Sequence, residues 1–96
     1  MLTNREIFKD VRDILSNNGI EVYKSYSDQR ANGRRRIKFI PIGDPSNRVR
    51  SRIIQELLNY FFDEGLDWHR GMIASWHRNR TVNYWYLAIH FNEGSN

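Results

Sequence analysis

The residues with the clearest chemical potential in this chain are a segregated run of cations. The segment from Arg30 to Arg52 contains eight basic residues and one acidic residue, a net charge of +7, whereas the whole chain carries +4. The rest of the chain is therefore mildly acidic. Such segregation favours a partner that bears phosphates or an acidic protein surface, although a solvated face has the same composition. The cations are Arg30, Arg34, Arg35, Arg36, Lys38, Arg48, Arg50 and Arg52.

A second group of residues combines aromatic rings with more positive charge. The stretch Ser75–Phe91, "SWHRNRTVNYWYLAIHF", holds two of the three tryptophans and two of the five tyrosines, together with Arg78 and Arg80. Rings beside cations are suited to stacking on nucleic-acid bases while phosphates are neutralised. The same rings could instead form the core of a small β-sheet.

Catalytic and metal-binding patterns are weak in the sequence. His69, His77 and His90 match no metal-ligand spacing, and the acidic residues before His69 lie where a helix end is predicted. The chain has no cysteine, and it lacks a glycine-rich phosphate loop, a nucleophile elbow and a dinucleotide fingerprint. We therefore expect a protein without catalytic activity, cofactor or metal.

Two amphipathic helices are predicted to support these groups. Thr3 and Glu6 have the spacing of a capping box, and Gly19 supplies a stop, so the first helix should run from about Asn4 to Asn18. The second helix should span about Ser46 to Glu64, with a broad apolar stripe and Gly65 at its end.

A β-hairpin is predicted after each helix. Alternating residues in "IEVYKSYS" and "RRRIKFIPI" flank the turn-like "DQRANG", and "GMIASWH" and "VNYWYLAIHF" flank the turn "RNRT". The order is αββαββ. A shift of 46 residues places Ile7 on Ile53 and Gly19 on Gly65 without a gap, which is compatible with a duplication or with two similar helices.

The predicted architecture is a two-layer α+β sandwich within a single domain of residues 1–96. Two αββ units, 3–43 and 44–92, would pair their hairpins into one four-stranded antiparallel sheet with both helices on one face. An approximate twofold axis would relate the units. Either strand of each hairpin could line the seam between them. The uncovered side of the sheet is called the open face below.

Strand alternation assigns most of the side chains to one face. In the last strand Trp85, Leu87, Ile89 and Phe91 should meet the helices, whereas Tyr84, Tyr86 and His90 should lie on the open face. In the second strand Ile37 and Phe39 point inward, which leaves Arg36 and Lys38 on the open face. The face of Trp76 stays undecided, because both phases of its strand contain apolar residues.

The arginines form two groups with different predicted surroundings. Arg34 and Arg35 should be exposed near the tip of the first hairpin, either to clamp a phosphate backbone or to protect a sheet edge. Arg48, Arg50 and Arg52 fall in the first turns of the second helix, where positive charge costs about 0.3–1 kcal/mol each. Because a strand of about nine residues is about 30 Å long, the two groups should form a stripe.

These patterns predict a non-catalytic nucleic-acid-binding domain, for RNA or DNA, in the cytoplasm. The first twenty residues lack an uninterrupted apolar block, so we expect no membrane partner. The alternative is a protein-interaction module, namely a small inhibitor or adaptor on an acidic surface, or a homodimer that pairs its open faces. The predicted nucleic-acid-binding residues are Arg34, Arg35, Arg36, Lys38, Arg48, Arg50, Arg52, Trp76, Arg78, Arg80, Tyr84 and Tyr86.

Overall fold

The element order is αββαββ, as the sequence predicts. The computed structural model describes residues 3–29, 34–65 and 73–92. The elements are α1 (Asn4–Asn17), β1 (Val22–Gln29), β2 (Arg34–Pro41), α2 (Asn47–Asp63), β3 (Ile73–Asn79) and β4 (Tyr84–Asn92). Neither helix in the described ranges has the length and apolar composition that crossing a membrane requires.

Both helices begin at side-chain caps. The backbone nitrogen of Thr3 donates to Glu6 Oε1 at 2.9 Å, and the backbone nitrogen of Glu6 donates to Thr3 Oγ1 at 3.2 Å, which completes the predicted capping box. Ser46 caps α2 through a 3.2 Å hydrogen bond from the Val49 nitrogen. Gly19 and Gly65 follow the helix ends with φ of 77° and 76°, a left-handed conformation that glycine adopts without strain.

The sheet is antiparallel throughout, in the order β1-β2-β4-β3. The second strand of each hairpin therefore lines the seam, where Ile37 lies opposite Ile89. The strand order is symmetric about this seam, in agreement with the predicted twofold arrangement.

The core lies between the sheet and both helices, so the two-layer sandwich is confirmed. Its sheet side is Ile37, Phe39, Leu87 and Ile89, and its helix side is Ile7, Val11 and Leu15 of α1 with Ile53, Leu57 and Phe61 of α2. The buried positions in the helices are related by the 46-residue shift. The two helices thus use equivalent positions to cover the sheet, while a common origin of the two units stays a prediction.

Hydrogen bonds between the helices fix how they pack on each other. The Tyr60 hydroxyl donates to Asp10 Oδ2 at 2.6 Å, and Asn18 Nδ2 donates to the Glu56 carboxylate at 3.1 and 3.2 Å. Burial raises the pKa of Tyr60 above its ordinary value, and the hydrogen bond to the Asp10 carboxylate adds to the effect.

The turn of the second hairpin lies two residues later than predicted. Arg78 and Asn79 belong to β3, and the turn comprises residues 80–83. The reason is that Asn79 Oδ1 accepts hydrogen bonds from the backbone nitrogens of Thr81 and Val82, at 3.0 and 3.1 Å. These bonds stabilise a turn that begins directly after Asn79. Asn83 then takes φ of 56°, which asparagine tolerates better than most residues.

The first hairpin also differs slightly from its prediction. β1 begins at Val22 instead of Ile20, because the Ile20 nitrogen donates to Leu15 O at 2.9 Å in the turn that closes the end of α1. The turn was predicted at residues 28–33, but Asp28 and Gln29 still pair with Arg36 and Arg35 and belong to β1. The rest of the predicted turn, 30–33, lies outside the described residues.

Candidate nucleic-acid interface

The open face carries most of the predicted aromatic and basic residues. Cross-strand pairing places Lys38 opposite Tyr26 on one side and opposite Ala88 on the other, and Ser75 opposite Ala88 in turn. Since residues two apart on a strand share a face, these pairs define the whole surface. Its members with described side chains are Lys24, Tyr26, Arg36, Lys38, Ile40, Ser75, His77, Asn79, Tyr84, Tyr86, Ala88 and His90.

A row of alternating cations and rings crosses the open face from β1 to β3. Lys38 Nζ lies 4.4 Å from the centroid of the Tyr86 ring and 5.8 Å from that of Tyr26. Lys24 Nζ lies 5.8 Å from the Tyr26 centroid, and His77 stacks on Tyr86 at 5.3 Å with an interplanar angle of 22°. We call Lys24, Tyr26, Lys38, Tyr86 and His77 the cation–ring ladder.

Tyr84 lies beside this ladder, two residues before Tyr86 on β4. Its ring centroid lies 6.2 Å from that of Tyr86, with the planes at 59°. The two rings are therefore not stacked face to face. Its neighbour across the strand pair is Asn79, whose side chain is occupied by the turn. Tyr84 has no cation over its ring in the described part of the structure.

The charge of the open face is positive. It contains Lys24, Arg36 and Lys38, and the strand register places one acidic residue, Asp28, opposite Arg36 on the same face. The central Ala88 is only 1% exposed although it points away from the helices, because larger neighbours pack over it. Rings and cations therefore lie side by side on this face.

Trp76 lies under the helices, which answers the question that the sequence left open. It pairs with Leu87, packs against the core, and donates its indole N–H to the carbonyl oxygen of Arg50 at 3.1 Å. The aromatic residues of the open face are therefore tyrosines. Tyr26 and His77, with Lys24, are the members that sequence reasoning missed.

Trp85 faces the helix side as predicted, but it is not part of the fully buried core. The guanidinium carbon of Arg50 lies 3.8 Å from its ring centroid and that of Arg78 lies 5.6 Å away. Arg78 is held by two hydrogen bonds to Asn83 Oδ1, at 2.7 and 3.0 Å. The half-buried indole thus joins the start of α2 to the β3–β4 hairpin.

The arginines at the start of α2 have structural partners that the sequence did not reveal. Arg50 donates to the Pro45 carbonyl at 2.5 Å and to the Asn47 side chain. Arg52 Nε donates to Asn18 Oδ1 at 2.5 Å, at the end of α1, where the helix dipole favours a cation. These contacts offset the cost of placing cations at the α2 start.

The predicted stripe is divided between the two sides of the sheet. Arg36, Lys38, Tyr84 and Tyr86 lie together on the open face, whereas Arg50, Arg78 and Trp76 lie on the helix side. Arg48 is exposed in the first turn of α2, and Arg80 is exposed in the turn after β3. The backbones of Arg34 and Arg35 begin β2, and their side chains lie outside the described part of the structure.

A shallow groove of about 530 Å³ lies between α1 and β1. It is lined by Arg5, Phe8, Lys9, Arg12, Asp13 and Ser25. Arg12 donates to Ser25 Oγ at 2.6 Å, and Lys9 pairs with Asp13 at 3.1 Å, so two of its cations already have partners within the fold.

The described ranges offer no candidate metal centre. They contain no group of three or more histidine, cysteine, aspartate or glutamate side chains that could hold a metal. Asp67 and His69 lie outside these ranges.

Comparison of the chain with protein-family models, with curated proteins and with solved structures found no match.

Proposed function

We propose that this protein binds nucleic acid through the open face, without catalysis. The observation that carries the proposal is the cation–ring ladder, in which Lys38 lies between the rings of Tyr26 and Tyr86 on a face where Lys24, Arg36 and Lys38 outnumber the one acidic residue, Asp28. Cations supply the phosphate attraction that dominates nucleic-acid affinity, and neighbouring rings offer contacts to bases.

The placement of Lys38 suits a phosphate contact. Lys38 is half-buried and has rings on two sides, which position its ammonium group, and no carboxylate among the described side chains forms an ion pair with it. An unneutralised, positioned cation gains more from an incoming phosphate than one already in an ion pair. Arg36, two residues earlier on β2, extends the positive face toward Arg34 and Arg35 along the chain.

A homodimer that pairs two open faces fits this surface poorly. Such a dimer would bring Lys24, Arg36 and Lys38 of one copy against the same cations of the other. Burying like charges together is unfavourable, and the face holds one acidic residue, Asp28, against these three cations. The surface is better matched to a polyanion than to itself.

The test compares Lys38 with a lysine that lies on a helix, away from the open face. Binding of labelled RNA and DNA oligonucleotides is measured by fluorescence anisotropy over a range of salt concentrations, for the wild-type protein, Lys38→Gln and Lys9→Gln. Lys9 is an exposed lysine on α1, paired with Asp13, and its loss changes the net charge equally. We expect Lys38→Gln to weaken binding and to reduce the salt slope by about 0.7–0.9, as for one lost phosphate contact.

Lys9→Gln should leave both quantities nearly unchanged. The proposal is wrong if the wild-type protein shows no salt-dependent binding, or if the two variants lose affinity equally. A further variant, Arg34/Arg35/Arg36→Ala, tests the start of β2 in the same assay, and it should weaken binding more than Lys38→Gln because three cations are removed.

A further inference from the structure

We infer that the open face takes a single strand, RNA or DNA, whose bases stack on Tyr84 and Tyr26, and that it does not take a duplex. This inference rests on the proposed function and narrows its ligand class. It follows from which rings of the open face are available for stacking.

The rings of the open face differ in how they are occupied. Tyr86 has Lys38 at 4.4 Å and the parallel His77 ring at 5.3 Å, and these two residues come from the strands on either side of β4. Tyr86 is therefore flanked on both sides, and its main contribution is to position Lys38. It is a positioning residue more than a stacking partner.

Tyr84 and Tyr26 are the rings on which a base can lie. The closest described ring to Tyr84 is Tyr86, tilted by 59° at 6.2 Å, so the two rings do not cover each other's faces. Tyr26 has its two lysines at 5.8 Å, which is the outer limit of a cation–π contact. A flat base gains more from such loosely held rings than from the tightly flanked Tyr86.

A duplex cannot use these rings. In a double helix the base faces are covered by their neighbours in the stack, and only phosphates, sugars and base edges are accessible. The tyrosines would then add little to the attraction between cations and phosphates. An unpaired strand can turn its bases onto the sheet while its phosphates reach Lys38 and Lys24.

The experiment uses three probes of equal length and charge per strand on the wild-type protein at one salt concentration. They are a single-stranded oligonucleotide, an abasic sugar–phosphate strand, and a duplex of the first sequence. The single-stranded probe is made both as RNA and as DNA, which shows whether the protein prefers one of the two. We expect the single strand to bind at least about tenfold more tightly than the abasic strand, since stacking on each base contributes about 5- to 100-fold.

Variants identify the ring involved. Tyr84→Ala should weaken single-strand binding about 5- to 100-fold and leave abasic binding unchanged, whereas Tyr84→Phe should keep most of the affinity. Phe62→Ala is the matched control, because Phe62 is an exposed aromatic residue, 69% accessible, on α2. Phe62→Ala should change neither single-strand binding nor abasic binding.

The outcomes separate this inference from the proposed function. Equal affinity for all three probes, with dependence on Lys38, would overturn the single-strand inference and leave nucleic-acid binding intact. Tighter binding of the duplex than of the single strand would do the same. Absence of binding to every probe would overturn both.

Discussion

Replacing Arg50 should destabilise the fold without abolishing the open face. Arg50 stacks on Trp85 at 3.8 Å, donates to the Pro45 carbonyl, and contacts Asn47. These contacts tie the α2 start to the β3–β4 hairpin on the helix side. If Arg50 has this structural role, its replacement should lower the free energy of unfolding.

The expected magnitude follows from the individual contacts. A cation–π pair at a partly exposed site contributes about 0.5–1 kcal/mol, and a hydrogen bond from a charged donor contributes about 1.5–3 kcal/mol. The helix dipole and the ordering of the side chain offset about half of this sum. Arg50→Ala should therefore cost about 1–2 kcal/mol, which corresponds to about 5–10 °C in Tm for a chain of this size.

The assay is thermal unfolding followed by circular dichroism, with Arg48→Ala as the matched control. Arg48 is an exposed arginine in the same helical turn, so its replacement removes the same charge from the same helix end. We expect that variant to stay within about 0.5 kcal/mol of the wild type. Equal Tm values for the two variants would refute a structural role for Arg50.

Three further predictions concern the packing of the helices on each other and on the sheet. Tyr60→Phe should destabilise by about 1 kcal/mol at pH 8, because the hydrogen bond to Asp10 is lost. Because the pKa of Tyr60 is raised in the folded state, the unfolded tyrosine ionises first, above about pH 10, and this ionisation favours unfolding of the wild type. The difference in free energy of unfolding between the wild type and Tyr60→Phe should therefore be smaller at pH 11 than at pH 8, as measured by urea unfolding. Asn18→Ala removes the hydrogen bonds to Glu56 and should lower the free energy of unfolding by about 1–2 kcal/mol in the same urea assay. An unfolding midpoint equal to that of the wild type would contradict this prediction. Ile37→Ala, at the centre of the seam, should cost about 2–5 kcal/mol by chemical denaturation, and a loss below 1 kcal/mol would mean that the core is not centred there.

Local signals in the sequence were sufficient for much of the fold. The capping box at Thr3 and the glycines after each helix are signals that depend only on residues close in sequence. They allowed both helices to be predicted to within one residue at each end. In β4, alternation assigned Tyr84 and Tyr86 to one face and Leu87 to the other, because its two phases differ clearly in polarity.

Features that depend on the pairing of distant segments could not be predicted from the sequence. Trp76 could not be placed from its own strand, since Ala74 and Trp76 alternate with Ile73 and both phases contain apolar residues. The strand order decided which residues met across the sheet, and Tyr26 became part of the candidate site only because β1 pairs with β2 and places it opposite Lys38. Partners such as Trp85 for Arg50 depend on tertiary packing that no local spacing encodes.

The seam between the two αββ units explains why Lys38 has a ring on each side, with Tyr26 from its own unit and Tyr86 from the other. β2 supplies cations, with Arg36 and Lys38, and β4 supplies rings, with Tyr84 and Tyr86. Neither strand alone offers both groups on this face. Because β2 and β4 are neighbours only through the pairing of the two units, the Lys38–Tyr86 contact exists only when both units are folded against each other. A change that opens the seam should therefore remove the Lys38–Tyr86 contact together with the core, whereas changes on the helix side, such as Arg50→Ala, should lower stability before they affect the open face.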